Sequence, residues 1–339
     1  MTLSRSASPR LSCIVTAFNE GALASVSLDS LLAQSFEDFE ILLVDDGASE
    51  QTRRVLHSYD DPRILHIRQA NDGLSSARNR ALGVARGDYV CFLDADDTRP
   101  PWAFEVMMAA AADNPDCVFS PGILQELRQE THPFYDERHF HALRAEGMIT
   151  GSATRDAKAL QHALRQLACV EPQSANKMVR RAFLEHHRLR FPSGLFFEDI
   201  LFHNAIVMNL QSYGITELPT FTYFRRYART QITSTGTTLR FDAISTAINT
   251  LHLFSQSRYF QDTTLRALVL AATFKLLKWS AESVSHEHKP AFAQALRSMV
   301  SGLDPRYREP LDAKTRAEAT AHAPWAGPSL DYLNSFVGP

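Results

Sequence analysis

The sequence predicts an α/β fold: a mostly parallel, doubly wound sheet flanked by helices, with an α-helical extension at the C-terminal end. Short apolar runs alternate with amphipathic stretches through residues 11–120, as strands alternate with crossover helices in a parallel sheet. Runs such as Ile41-Leu42-Leu43-Val44 are apolar without a break, the pattern of strands covered on both faces. From about residue 241 to 318 the apolar spacing is mainly helical.

In chain order, Leu11–Thr16, Ile41–Val44, Ile64–Ile67, Tyr89–Leu93 and Cys117–Phe119 read as strands, and stretches near residues 22–34, 50–59, 75–86 and 102–112 as helices. Ser75 precedes a helical pattern that stops at Gly87, a C-terminal cap by this reading. Pro101 suits a first helical turn, where its missing N–H costs nothing. Over residues 121–175 the pattern loosens. There His132, His139 and His141 stand among Phe134, Tyr135 and Phe140. Their spacing matches no zinc motif, and they are read as a loop with aromatic contacts. Residues 176–240 return to mixed α/β character. Helices are predicted near 241–256, 262–282 and 289–302, and the closing APWAGPSLDYLNSFVGP, rich in Pro and Gly, reads as an irregular tail.

Composition narrows the function classes. Of 339 residues, 45% are hydrophobic and 22% charged, enough apolar side chains for a sizeable core. A formal net charge of −3 gives no basic field, so nucleic acid is not an implied partner. The N-terminus lacks the apolar segment of a signal peptide, and no stretch approaches the ~20 apolar residues of a membrane-spanning helix. Cys13, Cys91, Cys117 and Cys169 form no C-x-x-C pair and read as small core hydrophobes. A soluble, cytoplasmic protein is the expectation.

Polar clusters end three of the predicted strands: Thr16 to Glu20, Asp45-Asp46-Gly47, and Asp94-Ala95-Asp96-Asp97. In open α/β sheets that edge binds ligands. Any one cluster alone reads better as turn or cap chemistry, and Asp97 could cap the helix near Pro101. Four aspartates on one edge, however, repel one another unless a cation sits between them. Their hard oxygens suit Mg²⁺ or Mn²⁺, whose shell water and substrate phosphates complete. The chain has no G-x-x-x-x-G-K-[ST] loop, and no G-x-G-x-x-G follows the first strand. What remains is a nucleotide diphosphate held chiefly through a metal.

The strings IVTAFNEG, ILLVDDGASE and NDGLSSARNRALGVARGDYVCFLDADD, followed by NKMVRRAFLEHHRLRFPSGLFFEDILF, resemble family 2 inverting glycosyltransferases of GT-A type, over roughly residues 10–235. The resemblance implies a GT-A (Rossmann-like) catalytic domain over 10–240. Residues 10–120 would be its nucleotide-sugar-binding half and 121–240 its acceptor half, with 241–339 a helical region ending in the irregular tail. It also implies site residues. Phe18 would stack on the base, flanked by Thr16 and Glu20, and Asp46 would bond the base. Asn71 and Arg78 would line the nucleotide and diphosphate region. Within Asp94-Ala95-Asp96, Asp96 would ligate the metal, with Asp94 behind it or near the ribose. Asp199 would be the catalytic base, with Glu198 beside it on the acceptor side. Where the family often carries aromatic-Arg-Arg followed by Ser-Ile-Thr over the diphosphate, this chain has Tyr223-Phe224-Arg225-Arg226 and then Thr230-Gln231-Ile232-Thr233. Arg225 or Arg226 would reach the phosphates, with an exposed basic edge strand as the plainer alternative.

The implied function is metal-dependent transfer, with inversion, from a nucleotide diphosphate sugar to a glycan or lipid-linked acceptor, in cell-surface polysaccharide or glycan synthesis. Uridine is the expected base by family frequency. Two other readings compete: a catalytically silent sugar-nucleotide-binding subunit of a polysaccharide assembly complex, and a nucleotidyltransferase. The second would need a basic Gly-rich loop after strand one, which TAFNEGALAS does not provide. Glu198 and Asp199 alone would read as complements to a helix macrodipole. Arg266, Lys275, Lys278 and Trp279 on one predicted helix raise peripheral contact with the inner face of a membrane, or homo-oligomer formation, against the simpler reading of a helix packed on the catalytic domain.

Overall fold

The computed structural model describes residues 8–126, 130–145, 157–225 and 237–337. In chain order the strands are β1 (Leu11–Ala17), β2 (Phe39–Asp46), β3 (Ile64–Gln69), β4 (Tyr89–Asp94), β5 (Cys117–Phe119), β6 (Ile123–Gln125), β7 (Thr131–Pro133), β8 (Lys177–Arg180), β9 (Tyr213–Ile215) and β10 (Thr222–Phe224). Helices α1 (Leu23–Leu32), α2 (Glu50–His57), α3 (Leu74–Leu82) and α4 (Ala103–Ala110) lie among the first five strands. Helices α5 (Glu137–Ala145), α6 (Ala157–Leu167), α7 (Arg181–His186) and α8 (Glu198–Asn209) follow. The chain ends in α9 (Asp242–Ser255), α10 (Thr263–Ser283), α11 (Lys289–Gly302), α12 (Pro305–Arg308), α13 (Ala313–His322) and α14 (Ala326–Val337).

The chain divides into two compact units. One comprises Met1–Arg155, Gln173–Gly194 and Leu210–Arg225; the other comprises Asp156–Pro172, Leu195–Asn209 and Arg226–Pro339. The first unit holds a seven-stranded sheet in the order β3-β2-β1-β4-β8-β5-β9 and a three-stranded sheet β10-β6-β7. The central pairs β1–β2, β1–β4 and β2–β3 are parallel, and β8 runs antiparallel to its neighbours β4 and β5. Every residue of β1 and β2 is buried, as their unbroken apolar runs require of strands covered on both faces. Leu11, Cys13 and Val15, alternating along β1, pack with Leu28 and Leu31 of α1 and with Phe104 and Met107 of α4. At the sheet's edge β3 alternates buried or half-buried with exposed positions. All four cysteines are free and buried, and burial pushes the Cys13 thiol well up, so it behaves as a core hydrophobe.

The α/β expectation holds, and the structure corrects three local readings. Helix α3 stops at Leu82, before Gly83, rather than running to Gly87. Gly87 serves a different need: a Cβ there would stand 2.5 Å from the Ser12 backbone nitrogen, so only glycine lets the chain pass β1 so closely. The histidine segment is not simply a loop, since His139 and His141 lie on α5, with His139 buried beside Phe140 and Leu143 on its inner face. The aromatic contacts expected there are present around Phe134, whose ring meets Tyr135, Phe221 and Tyr223 at 5.0, 5.4 and 6.0 Å. The tail is helical: α14 occupies residues expected to be irregular. Gly327 and Pro328 fall in its first turn, where proline costs no hydrogen bond, and Ala326, Leu330 and Leu333 are buried at helical spacing.

The second unit is helical, with α10 packed against α6, α9, α13 and α14. No helix among the described residues is long and apolar enough to cross a membrane. Asp262 begins α10 by accepting the Leu265 N–H at 2.9 Å, and it also receives Arg165 Nη2 at 3.0 Å and Gln161 Nε2 at 2.9 Å. Burial pushes its carboxyl up, but these donors outweigh burial and hold it below the usual carboxylate range. Asp262→Ala, which strips a cap and leaves Arg165 the longer contact with Glu318 at 3.9 Å, is expected to cost about 2–4 kcal/mol by urea unfolding. Because the folded carboxyl is depressed, this stabilisation is present above about pH 4 and fades as pH falls through the folded value. The gap between wild type and variant should therefore narrow in acid.

Candidate active site

Pairing register brings distant segments to one sheet edge. Along β1, Thr16 lies opposite Asp94 of β4 and Ala17 opposite Asp45 of β2. The turns that follow these three strands therefore emerge side by side. After β1, Phe18 is 40% exposed; its N–H donates to Glu20 Oε2 at 2.6 Å and its carbonyl accepts the Ser49 N–H at 3.0 Å. Glu20 thus holds the turn that presents the aromatic ring, while Thr16 is buried at the strand end.

After β2 the two aspartates do different work. Asp45 accepts the Ala48 N–H at 2.6 Å and pairs with Arg53 at 3.2 Å, which closes the turn into α2. Asp46 Oδ1 accepts Gln69 Nε2 at 2.8 Å and the Asp72 N–H at 3.0 Å, and Oδ2 accepts the Gly73 N–H at 3.1 Å. It thereby fixes the loop carrying Asn71, which is exposed. Gly47 has φ +67°, and a Cβ there would lie 2.7 Å from the Asn71 backbone nitrogen, so the D-D-G glycine is needed for both conformation and space.

After β4, Asp94 Oδ1 accepts Arg78 Nη2 at 2.8 Å. Arg78 is 2% exposed, with its guanidinium 5.0 Å from the Phe191 ring centroid. The arginine supports Asp94 from beneath, while the Asp94 side chain stays 45% exposed. Ala95 is buried and Asp96 half-buried. Asp97 does not cap α4: its Oδ1 accepts the Phe224 N–H at 3.1 Å, and Thr98 bridges Thr222, which ties β10 to the aspartate turn. Arg225, just past β10, is exposed and pairs with Glu126 at 3.2 Å. Arg226 and Thr230 to Thr233 lie outside the described residues.

Glu198 and Asp199 open α8 in the second unit, Glu198 buried and Asp199 half-buried. Phe197, just before them, has φ +70°, a left-handed conformation that a bulky side chain rarely adopts. The sequence reading missed Arg99, which is buried and donates to the carbonyls of Phe92, Ala175 and Thr220 at 2.9, 3.0 and 2.9 Å. Nothing local in Asp97-Thr98-Arg99-Pro100 distinguishes that core arginine from a solvated one.

Comparison with known proteins decides the family. The profile of Glycosyl transferase family 2 matches residues 12–188, just over half of the chain. The chain belongs to this family. Among curated relatives it is 27% identical over 217 residues to the uncharacterized glycosyltransferase YibD of Escherichia coli K12, covering 63% of this chain and 61% of that protein. It is 27% identical over 195 residues to the putative glycosyltransferase EpsH of Bacillus subtilis 168, covering 54% and 51%. The chain thus spans between half and two thirds of the length of these relatives. Among solved structures, S. aureus TarS 1–349 in complex with UDP-GlcNAc superposes with a TM-score of 0.69 at 18% identity, over 95% of this chain and 91% of that one. That likeness shows a shared fold, GT-A with C-terminal helices.

Asp94 and Asp96 carry hard carboxylate oxygens, the donor type that Mg²⁺ or Mn²⁺ takes. Among the described residues no three His, Cys, Asp or Glu side chains gather to cage a metal. The chain's contribution would be Asp96 and Asp94, with phosphate oxygens and water completing a Mg²⁺ or Mn²⁺ shell. Gly47→Ala, which forces a β-carbon against Asn71, is expected to lower stability by about 1–3 kcal/mol in urea unfolding. Asn71→Ala loses its bond from the Gly73 N–H at 3.2 Å, but that N–H also donates to Asp46, so stability should change much less.

Proposed function

We propose that the protein is a metal-dependent inverting glycosyltransferase that moves a sugar from a nucleotide diphosphate, with uridine the favoured base, to a hydroxyl of a glycan or lipid-linked acceptor. The observation that carries this reading is the β2–β1–β4 register, which gathers Phe18, Asp46 and Asp94 on one edge of a family 2 domain. The UDP-GlcNAc complex of TarS supports the choice of uridine.

In this reading the exposed ring of Phe18 stacks on the base, and Asp46, which also holds the neighbouring loop, bonds the base. Asp94, steadied by Arg78, and Asp96 would hold a divalent cation, which when bound offsets the negative charge that grows on the departing diphosphate. A carboxylate oxygen of Asp199 takes the proton of the acceptor hydroxyl as that oxygen attacks the anomeric carbon, a contribution of about 10²–10⁴-fold in rate. Attack on the face opposite the leaving group inverts the anomeric centre. Glu198 lies beside the base on the acceptor side, and Arg225 or Arg226 reaches the diphosphate. A silent binding subunit would have no use for a base, and Asp199 is intact.

A thermal-shift panel of nucleotide sugars with and without Mn²⁺ tests the reading, since a ligand that prefers the folded chain raises its melting temperature. One UDP-sugar should stabilise the wild type in Mn²⁺ and much less in EDTA; no shift with any of them would refute donor binding. Asp96→Ala should lose the Mn²⁺-dependent part of the shift only. Asp199→Asn should keep the full shift and lose about 10²-fold or more of transfer. Unimpaired transfer by that variant would remove Asp199 as the base.

A further inference from the structure

An aromatic pair stands in the second unit, one of its members, Phe197, two residues before Asp199 in the chain. Trp279 on α10 is 41% exposed, and the helix's other exposed positions are Thr263, Lys275 and Glu282, so the indole is a single apolar plane among polar neighbours. It is held on two sides. The guanidinium of buried Arg240 lies 4.1 Å from its ring centroid, and the Phe197 ring meets it edge-on at 5.9 Å. Phe197 is fixed through its neighbour: the Phe196 N–H donates to Asp242 Oδ2 at 2.9 Å, and the Phe196 carbonyl accepts Thr246 Oγ1 at 3.4 Å. Two residues after this left-handed, strained position comes Asp199.

We propose that Trp279 and Phe197 form the subsite for the acceptor sugar, stacking the apolar face of a pyranose ring next to Asp199. The inference rests on the glycosyltransferase reading and deepens it by naming the acceptor's class. A pyranose presents C–H groups of partial positive charge on one face, and an indole offers a flat, negative π-face to meet them. A ring clamped before the ligand arrives loses little entropy on binding. Membrane contact accounts less well for the same residues. Lys275, one turn away, pairs with Glu171 at 2.9 Å and lies over the Trp325 ring at 5.0 Å, and Arg266 lies over Phe260 and donates to its carbonyl. Both cations are thus engaged by contacts within this unit, and the exposed face that Trp279 shares with Lys275 also carries the acidic Glu282.

The test uses the full chain with two readouts. Saturation-transfer NMR is run with methyl α- and β-glycosides of glucose, galactose, N-acetylglucosamine and N-acetylgalactosamine, and the UDP–Mn²⁺ thermal shift is measured in parallel. At least one glycoside should bind the wild type through its ring C–H protons. It should bind Trp279→Ala roughly tenfold more weakly and Trp279→Phe nearly as well as the wild type, with the nucleotide shift kept in both variants. Absence of glycoside binding by the wild type, or equal binding by Trp279→Ala, overturns the subsite. So does Trp279-dependent binding to phosphatidylglycerol vesicles without glycoside binding, which would assign the indole to a membrane. Loss of the UDP shift in the wild type, with Trp279-dependent glycoside binding intact, would refute the donor reading and leave the sugar subsite standing.

Discussion

The molecule's chemistry depends on β1 lying in register between β2 and β4. In parallel pairing every strand leaves the sheet in the same direction, so three turns distant in sequence open on one edge. A shift of one residue in β1 would turn its alternate side chains to the other face. Cys13 and Val15 would then leave the layer they share with α1 and α4, and Thr16 would no longer stand opposite Asp94. Core packing and site assembly are thus set by one register, and the apolar runs that fix the first fix the second.

Around that edge, acidic side chains are held by backbone N–H groups and by cations drawn from elsewhere in the chain. Asp46 takes two N–H groups from the 72–73 turn, Asp45 takes Arg53, and Asp94 takes Arg78. Each carboxylate is therefore held in one orientation by the chain's own donors. Arg99 extends the same logic into the core. It joins the carbonyls at the end of β4, before β8 and before β10, and so fixes where the aspartate turn meets the three-stranded sheet. A buried cation of this kind is tolerable only because carbonyl dipoles surround it.

Much of this was legible in the sequence. Strands β1 to β5 and helices α9 to α11 fall within a few residues of their expected bounds, because unbroken apolar runs and helical spacing are strong signals. Two of the readings that failed rested on glycine and proline. Gly87 looked like a helix end but serves a close approach to Ser12, and Gly327 and Pro328 looked like breakers but begin a helix. Both residues mark exceptional backbone without saying which exception. The partner of Asp97 was equally hidden, since a helix cap and a bond to the N–H of Phe224, more than a hundred residues away, present the same local string. Arg78 was matched to the nucleotide region by resemblance, yet its place beneath Asp94 is a packing fact that no motif spells out.

The segment before Asp199 shows how a strained backbone is kept. A phenylalanine at φ +70° costs on the order of 1–3 kcal/mol, and it persists only where the surroundings over-determine it. Here they do. Asp242 and Thr246 of α9 hold Phe196 by its N–H and carbonyl, and the ring of Phe197 is caught against Trp279, itself covered by Arg240. These contacts come from the helical region for which the sequence offered no chemistry. In this unit those contacts keep a turn that would otherwise relax, and so fix where α8, opening with Glu198 and Asp199, begins. The strained turn and the helices that hold it thus belong to the same compact unit, because the left-handed backbone persists only where those contacts oppose its relaxation.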